Sequence, residues 1–354
     1  MIMKQKLLLW LVIPFLCLSC KEKGITYKQP VFPVEDTARF ELLTPELDYG
    51  VTEDIWVTDF YIITFASDSR THRFCHIYDK QKGTLLGETF MRGRGPGEIE
   101  AAYGTFEVRN GAVRYFDFTK NKVLQFHIDS LLMLGSSVIC ETDGDYFSGE
   151  RFRGSTDKYN VSLYITSNRE ENTSGINRLT VKDKEGIIVS ENDCYPEEDQ
   201  SANLANTYYV TISPDGTKCA IAPTWSSVLE LYDLPSLHAR YYGYFAGQEY
   251  DSSTGNIKFT EKTVINHSDI YSTNKKVYLS YGGDVLQLAN QSLPVEERKL
   301  VCNKLDIFDW DGKPLRRIVT DYRVSKLCVD AEEKNVYAIV EDRLRRKYIA
   351  RLPL

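Results

Sequence analysis

Short runs rich in Val, Ile, Tyr, Phe and Thr follow one another along the chain, each bounded by turn residues, and no stretch sustains a long helical period of apolar positions. That pattern predicts strands. Six tight turns join a short run to a stronger one. They fall at Thr58-Asp59, Asn110-Gly111, Asp157-Lys158, Pro214-Asp215-Gly216, Asn274-Lys275 and Glu333-Lys334. Counted from Asp59, Asn110, Asp157, Asp215, Asn274 and Glu333, the intervals are 51, 47, 58, 59 and 59 residues. Asn-Gly and Asp-Gly tolerate the positive φ that two-residue hairpins need, so these turns have a mechanism as well as a spacing.

A second landmark follows each turn: a strand that ends in Asp and turns into another strand. Asp79, Asp117, Asp183, Asp233 and Asp309 are examples. A unit of four antiparallel strands at this period is a propeller blade, and six turns predict six blades. The 21 residues after Glu333 are too few for a full blade. A strand near Ala38–Leu43 is expected to complete it and close the ring. The competing architecture is an irregular sandwich.

Composition adds compartment. Lys4 and Lys6 precede an apolar run from Leu7 to Ser19, shorter than the roughly 20 residues that span a bilayer but suited to a signal-peptide core. It ends Cys17-Leu18-Ser19-Cys20, then Lys21-Glu22-Lys23. A small residue before a cysteine resembles the bacterial lipobox, which implies cleavage before Cys20 and lipidation of its thiol; the alternative is an ordinary secretory signal. Position −3 is Cys17 where the lipobox has Leu. Residues 1–19 then read as signal, 20–36 as a lipidated tether and 37–354 as a single propeller domain. Removing Lys4 and Lys6 leaves 41 basic against 50 acidic residues, a formal charge of −9. That balance argues against nucleic acid and against attachment through anionic lipid headgroups alone.

Six cysteines follow Cys20, with no CxxC or metal-ligand spacing. Cys75, Cys219, Cys302 and Cys328 lie inside strand-like runs and read as buried thiols. Cys140 and Cys194 are left open. The five histidines form no HxxH pair, and no GxSxG elbow occurs. Asp143-Gly144-Asp145 with Glu150 lacks a full calcium-loop pattern. No metal and no cofactor are expected.

Arg92-Gly93-Arg94-Gly95-Pro96-Gly97-Glu98 follows the fourth strand of the first blade. With Ser213-Pro214-Asp215-Gly216 and the lipobox-like cysteine, it resembles the GxGPGE and SPDG motifs of Bacteroidetes six-bladed propeller lipoproteins, the TolB-like and NHL-like families. The resemblance implies an all-β six-bladed propeller of four-stranded antiparallel blades, lipid-anchored at the outer membrane on its periplasmic face or at the cell surface. It implies no catalytic residue.

Pro96 and the following strand argue against a dinucleotide loop. Arg92, Arg94 and Glu98, in a connection between blades, are candidate ligand contacts at the channel mouth. Arg151 and Arg153, expected on the third blade's inner strand and two residues apart on one face, complete a basic mouth that suits an anionic ligand. The bland reading is that each Arg pairs with a neighbouring acid such as Glu98 or Glu150. Tyr208, Tyr209, Trp225 and Tyr281 are candidate sugar-stacking rings, against packing between blades. The expected function is a monomeric binding module for a protein or an envelope glycan. The alternative is a propeller enzyme acting on glycans with carboxylates gathered at the channel mouth.

Overall fold

The computed structural model describes residues 30–101, 104–144, 150–164, 179–192, 208–224, 228–244, 264–285, 294–297 and 300–354. Cys20, Cys194, Trp225 and the connection at Ala246–Thr263 lie outside them. The chain opens with β1 (Glu35–Ala38) and β2 (Glu41–Leu42). Blade 1 is β3 (Tyr49–Val57), β4 (Tyr61–Asp68), β5 (Arg73–Asp79) and β6 (Leu85–Met91). Blade 2 is β7 (Gly104–Arg109), β8 (Ala112–Asp117), β9 (Lys122–His127) and, after helix α1 (Ile128–Leu134), β10 (Cys140–Asp143). Blade 3 is β11 (Glu150–Ser155), β12 (Tyr159–Tyr164), β13 (Leu179–Asp183) and β14 (Ile188–Asn192). Blade 4 is β15 (Tyr208–Ile212), β16 (Lys218–Pro223), β17 (Val228–Asp233) and β18 (His238–Tyr244). Blade 5 is β19 (Val264–Ser272), β20 (Lys276–Val285), β21 (Lys304–Asp309) and β22 (Pro314–Thr320). Blade 6 takes β23 (Arg323–Val329), β24 (Asn335–Glu341) and β25 (Lys347–Pro353) from the C-terminus.

Its fourth strand comes from the other end of the chain. β2 pairs antiparallel with β25, Glu41 opposite Arg351 and Leu42 opposite Ala350. Phe40 is buried among Leu305, Val324, Leu327 and Ala350. The ring therefore closes as the turn arithmetic predicts. The period did not foresee β1, which lies parallel to β22 as a fifth strand of blade 5. It begins at Glu35, inside the segment read from sequence as tether. Phe32 already packs edge-on against Phe308 at 5.4 Å and beneath the Arg317 guanidinium at 4.5 Å.

All six turn landmarks sit between the first and second strands of a blade, so they share one end of the ring, here called the hairpin end. Asn110 and Gly111 both take positive φ, 50° and 74°, as a tight hairpin there requires. The terminal aspartates work by a shared device. Asp79 Oδ1 accepts the N–H groups of Gln81 and Lys82, and Asp309 Oδ1 those of Asp311 and Lys313; each carboxylate thereby stands in for a backbone turn. Asp117 uses the same device, accepting from Thr119 and Lys120, but it ends the second strand of its blade. It therefore lies at the opposite, loop end, where the connections between blades run.

Apolar side chains of adjacent blades interlock to make the core. Phe65 stacks on Tyr115 at 4.6 Å and on Phe106 at 5.0 Å, joining blades 1 and 2. Cys75, Cys219, Cys302 and Cys328 are buried and Cys140 is exposed, none of them in a disulfide, and burial raises the Cys75 thiol far above its usual range. Among the described residues no helix is long and apolar enough to cross a membrane. Because Phe65 is 1% exposed, Phe65→Ala should lower unfolding free energy by about 3–5 kcal/mol in urea titration. Phe60→Ala, at a 73% exposed hairpin tip, should change it by less than about 0.5 kcal/mol.

Candidate functional site

Propellers expose their inner strands to a central channel. Three neighbouring inner strands here carry a charge in mid-strand: Asp54 on β3, Asp269 on β19 and Lys326 on β23. Each charge follows a break in its own pairing register, between Thr52 and Asp54, between His267 and Asp269, and between Val324 and Lys326. A bulge inserts a residue, interrupts the alternation of faces and re-aims the side chain that follows. Without it these positions would keep the plain in-out alternation of their strands.

The three groups meet across the seam of blades 5, 6 and 1. Lys326 Nζ lies 3.6 Å from Asp269 Oδ1, while Asp269 Oδ2 accepts the Leu327 N–H at 2.7 Å. Asp54 accepts the N–H of Ile55 at 2.8 Å. Enclosure by protein pushes its carboxyl up to about 7, and the neighbouring Asp269 adds to the rise while Lys326 opposes it. Burial likewise raises Asp269, held back by Lys326. Rings wall the cluster. Tyr209 on β15 lies under Lys326 Nζ at 4.7 Å, and Trp56 meets Tyr271 edge-on at 6.2 Å. Trp56, Tyr209 and Tyr271 are all half-buried, apolar walls beside a charged centre. Ser268 ties the site to its frame, donating to Val324 O at 2.6 Å.

Of the described aromatic residues singled out in the sequence, Tyr209 joins this cluster. Tyr281 is buried in the core between blades 4 and 5, and Tyr208 packs against the core between blades 3 and 4. The arginine-glycine loop lies at the loop end and is fastened to itself and to blade 2. Glu98 Oε2 accepts the Gly95 N–H at 2.7 Å and occupies the space where a Cβ on Gly93 would stand. Lys120 Nζ donates to Gly95 O and Glu98 O, and Gly97 N–H donates to Glu141. Arg94 pairs with Glu100 at 2.5 Å rather than with Glu98, and Arg92 is exposed above the Phe74 ring at 5.5 Å. Arg151 and Arg153 do lie on an inner strand, β11, whose start is at the same loop end. A register shift between Glu150 and Phe152 falls at Arg151, so the simple two-residue alternation expected for the pair is interrupted.

Sequence reasoning passed over Asp54, Asp269 and Lys326. One signal was available. Asp54-Ile55-Trp56-Val57-Thr58-Asp59 and Asp269-Ile270-Tyr271-Ser272-Thr273-Asn274 repeat one pattern, with the acid five positions before the turn landmark. The threonines act alike, Thr58 Oγ1 accepting the Tyr61 N–H and Thr273 Oγ1 the Lys276 N–H, both at 3.0 Å.

The sequence matches the family described as TolB-like 6-blade propeller-like over residues 54–332. No curated protein matches it. Among solved structures, a putative exported protein from Bacteroides fragilis is similar at 11% identity and TM-score 0.52, over 91% of this chain and 98% of that one. A DUF4221 member from Bacteroides vulgatus is similar at 7% identity and TM-score 0.54, over 90% and 95%. At such identities these likenesses concern the fold alone.

The raised Asp54 carboxyl has a pH signature. Its folded value lies above the ordinary 3.8, so between about pH 4 and 7 the native state holds a proton the unfolded chain has lost, and stability falls as pH rises through that window. Asp54 is half-buried rather than sealed, so solvent screening reduces the effect. The stability of wild type relative to Asp54→Asn should drop by about 1–2 kcal/mol between pH 5 and 8 in urea titrations, and a difference that stays flat would contradict the assignment.

Proposed function

This chain belongs to the TolB-like six-blade propeller family, and from that premise we propose that it is an envelope lipoprotein whose channel binds the end of a glycan. The observation that carries the reading is the set of three register breaks on neighbouring inner strands, each directly before a charged side chain of one cluster. Bulges recur beside functional sites, and stability does not require a lysine and two acids there. Carboxylates accept hydroxyl hydrogens, an ammonium donates to ring and hydroxyl oxygens, and Trp56, Tyr209 and Tyr271 offer apolar faces beside them. Arg92 and Arg94 in the loop, with Arg151 and Arg153 on β11, serve at the mouth and favour glycans that carry carboxylates.

Anchoring rests on residues 1–20, with Cys20 as the lipid acceptor and the outer membrane as the destination. Detergent-phase partitioning should be lost in Cys20→Ala, and a variant that still partitions would contradict the anchor.

Calorimetry with neutral and uronic-acid oligosaccharides tests the binding reading. Wild type should bind, and Lys326→Met should lose affinity for both kinds at least tenfold, about 1.4 kcal/mol. Arg92→Ala/Arg94→Ala should lose affinity for the acidic kind alone. A panel in which no saccharide binds, or Lys326→Met binding unchanged, would sink it.

A second reading, glycan hydrolysis, is favoured by one observation. A carboxyl raised to about 7 beside a second carboxylate is suited to donate a proton to a leaving oxygen. Reducing ends released by wild type but not by Asp54→Asn would establish it; binding without release leaves the module a receptor.

A further inference from the structure

The hairpin end carries apolar tips that no part of the described chain covers. Phe60, in the turn between β3 and β4, is 73% exposed, and Ile187, in the turn between β13 and β14, is 63% exposed. Met133, on the helix that starts from this same end beside Gly111, is 81% exposed. They occupy blades 1, 3 and 2. Exposed apolar side chains on a soluble monomer are ordinary when scattered singly, but these are spread around one end of one ring.

The N-terminal strap leaves from that end, across the ring. β22 runs from the hairpin at Asp309–Lys313 toward the loop end, and β1 lies parallel to it, Glu35 opposite Arg317. Going backward along the chain, Val34 accepts the Arg317 N–H and Phe32 rests on Phe308, one residue from that hairpin. Val31, at 84% exposure, then heads out on the hairpin side of blade 5. Only nine residues lie between Cys20 and Pro30, a reach of about 35 Å at most.

We propose that the hairpin end is a bilayer-facing surface: the lipid on Cys20 holds blade 5 near the membrane, while Phe60, Met133 and Ile187 settle into the headgroup–acyl boundary under blades 1 to 3. The proposal rests on the lipid-anchor reading above. The point where the strap leaves blade 5 and the apolar tips lie on opposite sides of the ring, so together they lay it flat rather than tipping it on edge. Charged residues at this end carry both signs, Lys82 and Lys158 beside Asp59 and Asp157. Apolar area rather than charge therefore selects the surface, and long lysine stems reach the headgroups from the same plane. The consequence is functional: the loop end, with the arginine-glycine loop and the channel mouth, points away from the membrane toward ligand.

Full-length lipidated protein in phosphatidylethanolamine–phosphatidylglycerol vesicles with brominated acyl chains tests this. Phe60→Trp and Ile187→Trp add one indole each at the hairpin end; Leu344→Trp adds one in the Asp342–Arg346 turn at the loop end. The added emission at positions 60 and 187 should be quenched and that at 344 retained, at unchanged circular dichroism. Equal quenching at all three positions, or none at 60 and 187 in protein that floats with the vesicles, overturns the orientation. None together with a dimer in detergent would give the face to a second copy, which also overturns it. Protein that does not float, with Cys20→Ala behaving identically, removes the anchor reading and the orientation with it.

Discussion

A propeller has to be closed. Each blade is a small antiparallel sheet that buries its faces only against its two neighbours, and an open ring would leave two such faces in water. Here the last blade lacks a strand at its C-terminal end and borrows it from the N-terminal side, with β2 on β25, Phe40 in the core between blades 5 and 6, and Leu43 N–H donating to Ile349 O at 2.8 Å. β1 reinforces that join. Arg317 holds the buried Asp306 through two 2.6 Å hydrogen bonds while its other face lies against Phe32. Removing either charge would leave the other poorly compensated near the core, so the strap and the blade hold each other.

The channel cluster depends on this closure. Its charges come from blade 5, blade 6 and blade 1, the three blades that meet at the seam. Asp269 reaches across from blade 5 to bond the Leu327 N–H of blade 6, and Asp54 faces both from blade 1. A ring open at this point would separate the carboxylates from Lys326 and return them to water, where neither would have reason to be raised. The same strap that closes the ring also fixes where the chain leaves it. Closure, the site and the direction of the N-terminal segment therefore all depend on one strap, β1 and β2.

Much of this was legible in the sequence, and unevenly so. Turn chemistry is local, so Asn110-Gly111 and Ser213-Pro214-Asp215-Gly216 declare their hairpins wherever they occur, and their spacing gave the blade number. Closure was legible by arithmetic, because the residues after Glu333 fall short of a blade. Asp117 misled because an aspartate that accepts its own backbone N–H groups ends a strand equally well at either end of the ring. The site was missed for a different reason. A bulge depends on the partner strand, and a sequence shows only one strand at a time; Lys326 in an apolar run reads as an exposed edge position until the register shift beside Val324 is seen. The loop arginines drew attention through glycine content, yet the Glu98 and Lys120 contacts give that loop a structural job in seating blade 2 on blade 1.

The amide of Leu327 reports closure and channel together, since it is bonded to Asp269 across the seam. Native-state hydrogen exchange on wild type and on Leu43→Pro, which deletes the Leu43–Ile349 hydrogen bond far from the channel, measures whether the two are coupled. Protection should fall at Leu327 along with β24 and β25, while β8 and β9 of blade 2 keep theirs. Unchanged protection at Leu327 when β25 loosens would mean that the channel cluster stands without the seam, contradicting the dependence of the site on closure.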